Sequence, residues 1–116
     1  MPDNVLVCDP HGEPLRTTAD VLDLIGEAWS AGANWVAVPA GRLPDDFFAL
    51  RSGVAGEITQ KFANYRIGLA IVGDVSSRTA GSTALNAWVT EANRGGQLWF
   101  VRDEAELRSR LAVSSP

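Results

Sequence analysis

Apolar and polar positions along this chain follow two periods in alternation. Short, nearly continuous apolar runs fall at Val5–Asp9, Trp35–Val38, Arg66–Gly73 and Gln97–Val101. The first closes in Asp9-Pro10-His11-Gly12, the second at Pro39 and the third at Gly73-Asp74, as strands running into turns do. The stretches between them space apolar residues three and four apart, the mark of an amphipathic helix. The first such helix covers Ala19–Ala31, with Thr18 as its N-cap and Gly32 as its stop. Val21, Leu22, Ile25, Ala28 and Trp29 form its inward stripe, and Asp20, Asp23 and Glu27 its wet side.

The middle of the chain, Phe47–Asp74, is the densest part of the pattern. Pro44-Asp45-Asp46 opens a helical turn, with carboxylates at the positive end of its dipole, and Phe47, Phe48 and Leu50 make that turn apolar. Gly53 and Gly56 flank Val54 and Ala55, small residues that predict close packing of helix on sheet. The helix then runs to Asn64 with Val54, Ala55, Ile58 and Phe62 inward. Val75–Gly81 reads as a polar loop. Ser82 caps a helix over Thr83–Asn93 that turns Leu85, Trp88, Val89 and Ala92 inward. Asp103 and Glu106 stand at capping-box spacing in a last helix, Asp103–Leu111, and residues 113–116 read as a frayed tail.

Strand and helix alternate four times, which predicts a single small α/β domain spanning residues 1–116 with a mostly parallel four-stranded sheet and right-handed crossovers. Ligand sites in such sheets gather beyond the carboxyl ends of the strands. Here that edge carries Asp9, Pro39, Asp74 and Arg102.

Composition narrows the class. A hydrophobic share of 46% against 21% charged residues excludes a disordered or fibrous chain. The net charge of −4, spread along the sequence, argues against nucleic acid, which demands a basic face. Nine of the ten basic residues are arginine, a bias that fits a GC-rich bacterial genome, and Lys61 is the exception. Cys8 is the sole cysteine and His11 the sole histidine, so a disulfide, a cysteine metal cluster and a two-histidine site are excluded within one chain. Cys8 reads as a buried strand thiol and His11 as an exposed turn residue. With no signal-peptide pattern and no apolar run long enough to span a bilayer, the expectation is a cytoplasmic protein that needs neither membrane nor cofactor.

No catalytic or cofactor motif is complete. Gly53-Val54-Ala55-Gly56 lacks the Gly-Lys-Ser/Thr of a P-loop and does not follow directly from a strand as a dinucleotide fingerprint does. Glu57, Gln60, Lys61 and Asn64 lie at i, i+3, i+4 and i+7, hence on one side of a helix, with Glu57 and Lys61 at ion-pair spacing. That stripe is either a solvated face or a docking surface. Asp74 is a loop cap, a base or a metal ligand. Of Trp29, Trp35, Trp88 and Trp99, three fall on core-facing positions, so packing rather than base stacking accounts for them.

Two resemblances follow from these residues. FFALRSGVAGEITQKFANYRIGLAIVGD, followed by EANRGGQLWFV, closely resembles a bacterial family numbered 4180 among the domains of unknown function, over about Ala19–Leu111. In layout alone the chain also resembles STAS domains, of the anti-sigma-factor-antagonist type. That likeness sets Arg51-Ser52-Gly53 on their helix-opening turn and Ser52 on their phosphorylatable serine. Their Asp in that turn is absent here.

The readings that result are three. A non-enzymatic, STAS-like regulatory or protein-interaction module would present Ser52, Glu57, Gln60, Lys61, Asn64 and Asp74 to a protein partner, with Arg51 and Arg78 as anion contacts. A homodimer would protect the exposed sheet edges. The alternative is an anionic-metabolite binder or small enzyme, its pocket at the carboxyl edge lined by Asp74, Ser76, Arg78, Arg51 and Glu57. In the third, Ser52 is a phosphorylation switch; otherwise it is an N-cap.

Overall fold

The four apolar runs pair in the order in which they occur. β1 (Val5–Val7), β2 (Trp35–Pro39), β3 (Gly68–Val72) and β4 (Leu98–Val101) form one all-parallel sheet of order β1-β2-β3-β4. The structure, a computed structural model, describes residues 5–9, 11, 12 and 14–114, with side chains through residue 112. Its helices are α1 (Thr18–Ser30), α2 (Asp45–Phe48), α3 (Val54–Asn64), α4 (Ser76–Thr79), α5 (Thr83–Arg94) and α6 (Glu104–Ser114).

Alternation along the strands divides the core in two. Val36, Val38, Leu69, Ile71, Leu98 and Phe100 point to one face, where they meet Val21, Leu24, Ile25 and Ala28 of α1, Ala55, Ile58 and Phe62 of α3, and Leu85 of α5. Trp35, Ala37, Ala70, Trp99 and Val101 point to the other and meet Leu107 and Leu111 of α6. Because the strand order never reverses, right-handed crossovers deliver α1, α3 and α5 to the same face. The fold therefore lacks the switch point at which neighbouring connections diverge and open a crevice in doubly wound sheets.

On the reverse face Trp35 lies across Gly68 and stacks on Trp99, with ring centroids 4.2 Å apart. A Cβ at position 68 would stand 2.4 Å from the Trp35 ring, so only glycine admits this approach. Trp99 donates its indole N–H to Gly95 O at 2.6 Å, and the Arg110 guanidinium lies over its ring at 4.3 Å.

The β4 edge is partly closed by side chains. Leu69 of β3 and Gly73 just after it donate to the carbonyls of Gln97 and Val101, which turns the N–H groups of Leu98, Phe100 and Arg102 outward. Asn93 Oδ1 accepts from Phe100 N–H at 2.7 Å, and Glu106 Oε1 accepts from Arg102 N–H at 3.0 Å. Arg110 in turn holds the Asn93 carbonyl at 2.5 Å.

Several local expectations change. The N-cap of α1 is Thr17, not Thr18; Thr17 and Asp20 form a reciprocal capping box. Leu24 takes the inward place assigned to Leu22, and Trp29 is 66% exposed, on the flank of the stripe. Gly56 does not press on the sheet, since a Cβ there would meet nothing within 4 Å. Gly53 is the glycine that matters in that pair, because its φ of 78° joins a 3-10 turn over Leu50–Ser52 to α3. The polar loop after Asp74 contains the single turn α4. Residues 113 and 114 continue α6 rather than fray, and 115 and 116 lie outside the described residues.

Candidate functional site

The predicted site residues sit on α3 and on the two turns that flank it. Ser52 ends the 3-10 turn before α3. Its hydroxyl donates to Asp46 O at 2.6 Å and accepts from Val54 N–H at 3.2 Å. One side chain thus ties α2 to the first turn of α3, and it serves as a cap although the N-cap position itself is Gly53. Arg51 beside it is exposed.

The polar stripe forms with different bonds from those its spacing predicts. Glu57 makes no ion pair with Lys61. Its carboxylate accepts from the Thr18 hydroxyl at 2.9 Å and fastens α3 to the start of α1. Gln60 donates its amide to Asn64 Oδ1 at 2.8 Å, a local pair on an exposed face. Among the described residues no carboxylate lies within ion-pair distance of the Lys61 ammonium. Lys61 and Glu57 border a crevice of about 70 Å³ shared with Arg16 and Thr17.

On the far side of α3 lies a shallow groove toward α5, about 330 Å³ in volume. Gln60 and Ala63 supply one bank, Trp88 and Ala92 the other, and Leu98 the floor. Glu91 and Gln97 add polar groups at its rim.

Asp74 and Arg78 are engaged by the fold. Asp74 Oδ1 accepts from Ser76 N–H at 2.8 Å. The Ser76 hydroxyl and then its N–H hold the carboxyl below the usual carboxylate range. Arg78 pairs with Asp45 at 2.7 Å and lies over the Phe48 ring at 4.6 Å, anchoring α4 to α2. The residues expected to line a pocket at the carboxyl edge are therefore spread among three separate structural contacts, with Glu57 turned to α1, Asp74 to its own loop and Arg78 to α2.

A cleft that the sequence reading did not anticipate lies against β1, about 430 Å³ in volume. Leu6, Val7 and Cys8 form one wall; Asp20, Asp23 and Glu27 of α1 form the other. Asp9 and Arg42 complete it, and the Arg42 guanidinium donates to Asp9 O at 3.3 Å. Cys8 is buried, as expected. Burial raises its thiol pKa, more than the Arg42 charge lowers it, and Glu27 raises it further, so the thiol stays protonated and is a poor nucleophile. The acidic residues of α1 looked like an ordinary wet side; their alignment with an edge strand is visible only in three dimensions.

A family model described as a domain of unknown function, DUF4180, matches residues 2–111. The chain belongs to the DUF4180 family. No curated protein and no solved structure matches it. Among the described residues of this DUF4180 domain, no group of three or more His, Cys, Asp or Glu side chains is placed to hold a metal ion. No helix among them is long and apolar enough to cross a membrane.

Proposed function

We propose that this DUF4180 domain is a non-enzymatic protein-interaction module that docks a partner on the outer face of α3. The observation that carries the reading is Lys61: an ammonium without a carboxylate partner among the described residues, beside the amide pair Gln60–Asn64 and between the crevice toward α1 and the groove toward α5. Such a surface offers a charge, oriented amides and a mostly apolar groove, the elements of directional docking. The engagement of Ser52, Glu57, Asp74 and Arg78 in holding the fold favours a rigid surface over an active site. A cytoplasmic, STAS-like regulatory setting belongs to the same reading. A phosphate on Ser52 would break its bond to Asp46 and loosen α2 from α3. Intact-mass comparison with and without phosphatase detects that modification.

The test is site-specific photo-crosslinking from position 60 in the protein's own cells, followed by titration of the recovered partner in purified form. Gln60→Ala combined with Lys61→Glu is expected to weaken binding by at least about tenfold, with the melting temperature unchanged. Wild-type affinity in the double variant would refute this docking face.

A further inference from the structure

The second edge of the sheet differs from the β4 edge in having no cover among the described residues. Cys8 N–H bonds to Ala37 O at 2.9 Å, so the twofold repeat of a parallel ladder turns the N–H and C=O groups of Val5 and Val7 away from β2. No described group meets those of Val7, whose side chain is 46% exposed on the α6 face. A strand added here would place alternate side chains against Val7 and the others against the acidic flank of α1. On that flank Asp23 and Glu27 carry no described partner, whereas Asp20 is occupied by its capping box.

We infer that the β1 edge receives an extended segment of a partner protein in which basic and apolar residues alternate. The apolar residues would cover Val5 and Val7, and the basic residues would enter the 430 Å³ cleft to meet Asp23 and Glu27. The cleft sets four carboxylates against one guanidinium, Arg42, so it favours a cationic side chain. A second copy of this chain fits less well. Antiparallel pairing of two β1 edges about a twofold axis would set each acidic flank against its own copy. This surface lies on another part of the domain from α3, and the inference stands apart from the α3 reading.

The probe is a synthetic peptide of about eight residues alternating Lys and Val, tested on the whole domain beside a block-ordered peptide of the same composition and an alternating Glu–Val peptide. Binding of the Lys–Val peptide with slowed hydrogen exchange at the Val7 amide is expected. Asp23→Lys with Glu27→Lys should weaken it by at least about tenfold, as should N-methylation of the peptide amides that face β1. Both substituted positions are exposed on a helix, and the N-methyl probe leaves the protein untouched. Equal binding of the block-ordered peptide would reduce the effect to bulk charge attraction and overturn the inference. Equal binding of the Glu–Val peptide, or a Val7 amide already protected without peptide in a concentration-dependent way, would also overturn it. The last result would assign the edge to a second copy. None of these outcomes bears on crosslinking from position 60.

Discussion

The two edges of the sheet solve the same problem differently. Along β4 and just past its end, the outward N–H groups of Phe100 and Arg102 each receive a side-chain acceptor from a neighbouring helix, Asn93 from α5 and Glu106 from α6. β1 has the same kind of outward groups at Val5 and Val7, yet among the described residues α1, which lines the cleft beside it, offers carboxylates across that cleft rather than acceptors at bonding distance. Unpaired edges invite further strands, and proteins commonly cover or charge them. Here one edge is partly covered and the other is charged only along its flank. The difference separates a part of the molecule committed to holding itself together from a part still able to bind.

That contrast breaks first at the closed side. Trp99→Ala removes the stack on Trp35, the bond to Gly95 O and the seat of Arg110, and should cost about 3–5 kcal/mol in urea unfolding. Gly68→Ala pushes a methyl group into the Trp35 ring and should cost about 1–3 kcal/mol in the same measurement. Asn93→Ala leaves the Phe100 N–H without its acceptor and should cost about 1–2 kcal/mol. Asn93→Asp, which keeps an oxygen there, should recover most of it. Faster hydrogen exchange at the Phe100 amide in the alanine variant alone would show that closure of the edge, rather than general loosening, is responsible.

The open side should respond weakly. Val7→Thr is expected to stay within about 0.5 kcal/mol of wild type, because the side chain is largely in water. A loss as large as that of Asn93→Ala would mean that β1 is covered, and the comparison would fail. Acid titration sharpens the same point. Asp20 is held below the usual carboxylate range by the Arg16 and Thr17 N–H groups. A folded pKa below the unfolded one gives a contribution that is complete above about pH 4 and is lost as pH falls through the folded value. Asp20→Asn should therefore flatten the decline in stability on the acid side and leave neutral-pH binding at the β1 edge to Asp23 and Glu27.

Much of this architecture is written in local pattern. Nearly continuous apolar runs marked the four strands and the 3.6 period the helices, because burial leaves a trace in the sequence that survives without coordinates. Helix ends were legible to within a residue where Ser82 or Gly32 marks them. What escaped depends on neighbours distant in sequence. Glu57 chose Thr18 over Lys61 because α1 and α3 lie side by side, which spacing within α3 cannot reveal. Trp29 fits the apolar stripe by count, yet the contact surface of α1 ends at Ala28. Asn93 marks only a helix end in the sequence, although its side chain accepts from a strand N–H seven positions later. The acidic flank of α1 gained its meaning from the position of β1 in the sheet. The Ser52 environment was half legible: a cap was foreseen, its grip on Asp46 was not.

The monotonic strand order carries one more consequence, for the nascent chain. Each strand pairs with its predecessor, so a polypeptide leaving the ribosome can extend the sheet outward without inserting a strand between two already joined. The reverse face follows a different timetable. Trp35, Ala37 and Ala70 are placed early, but Leu107 and Leu111, which cover them, belong to α6, the last helix of the domain to be made. For most of its synthesis the growing domain carries an uncovered apolar surface, and completion of α6 removes it from the reach of chaperones.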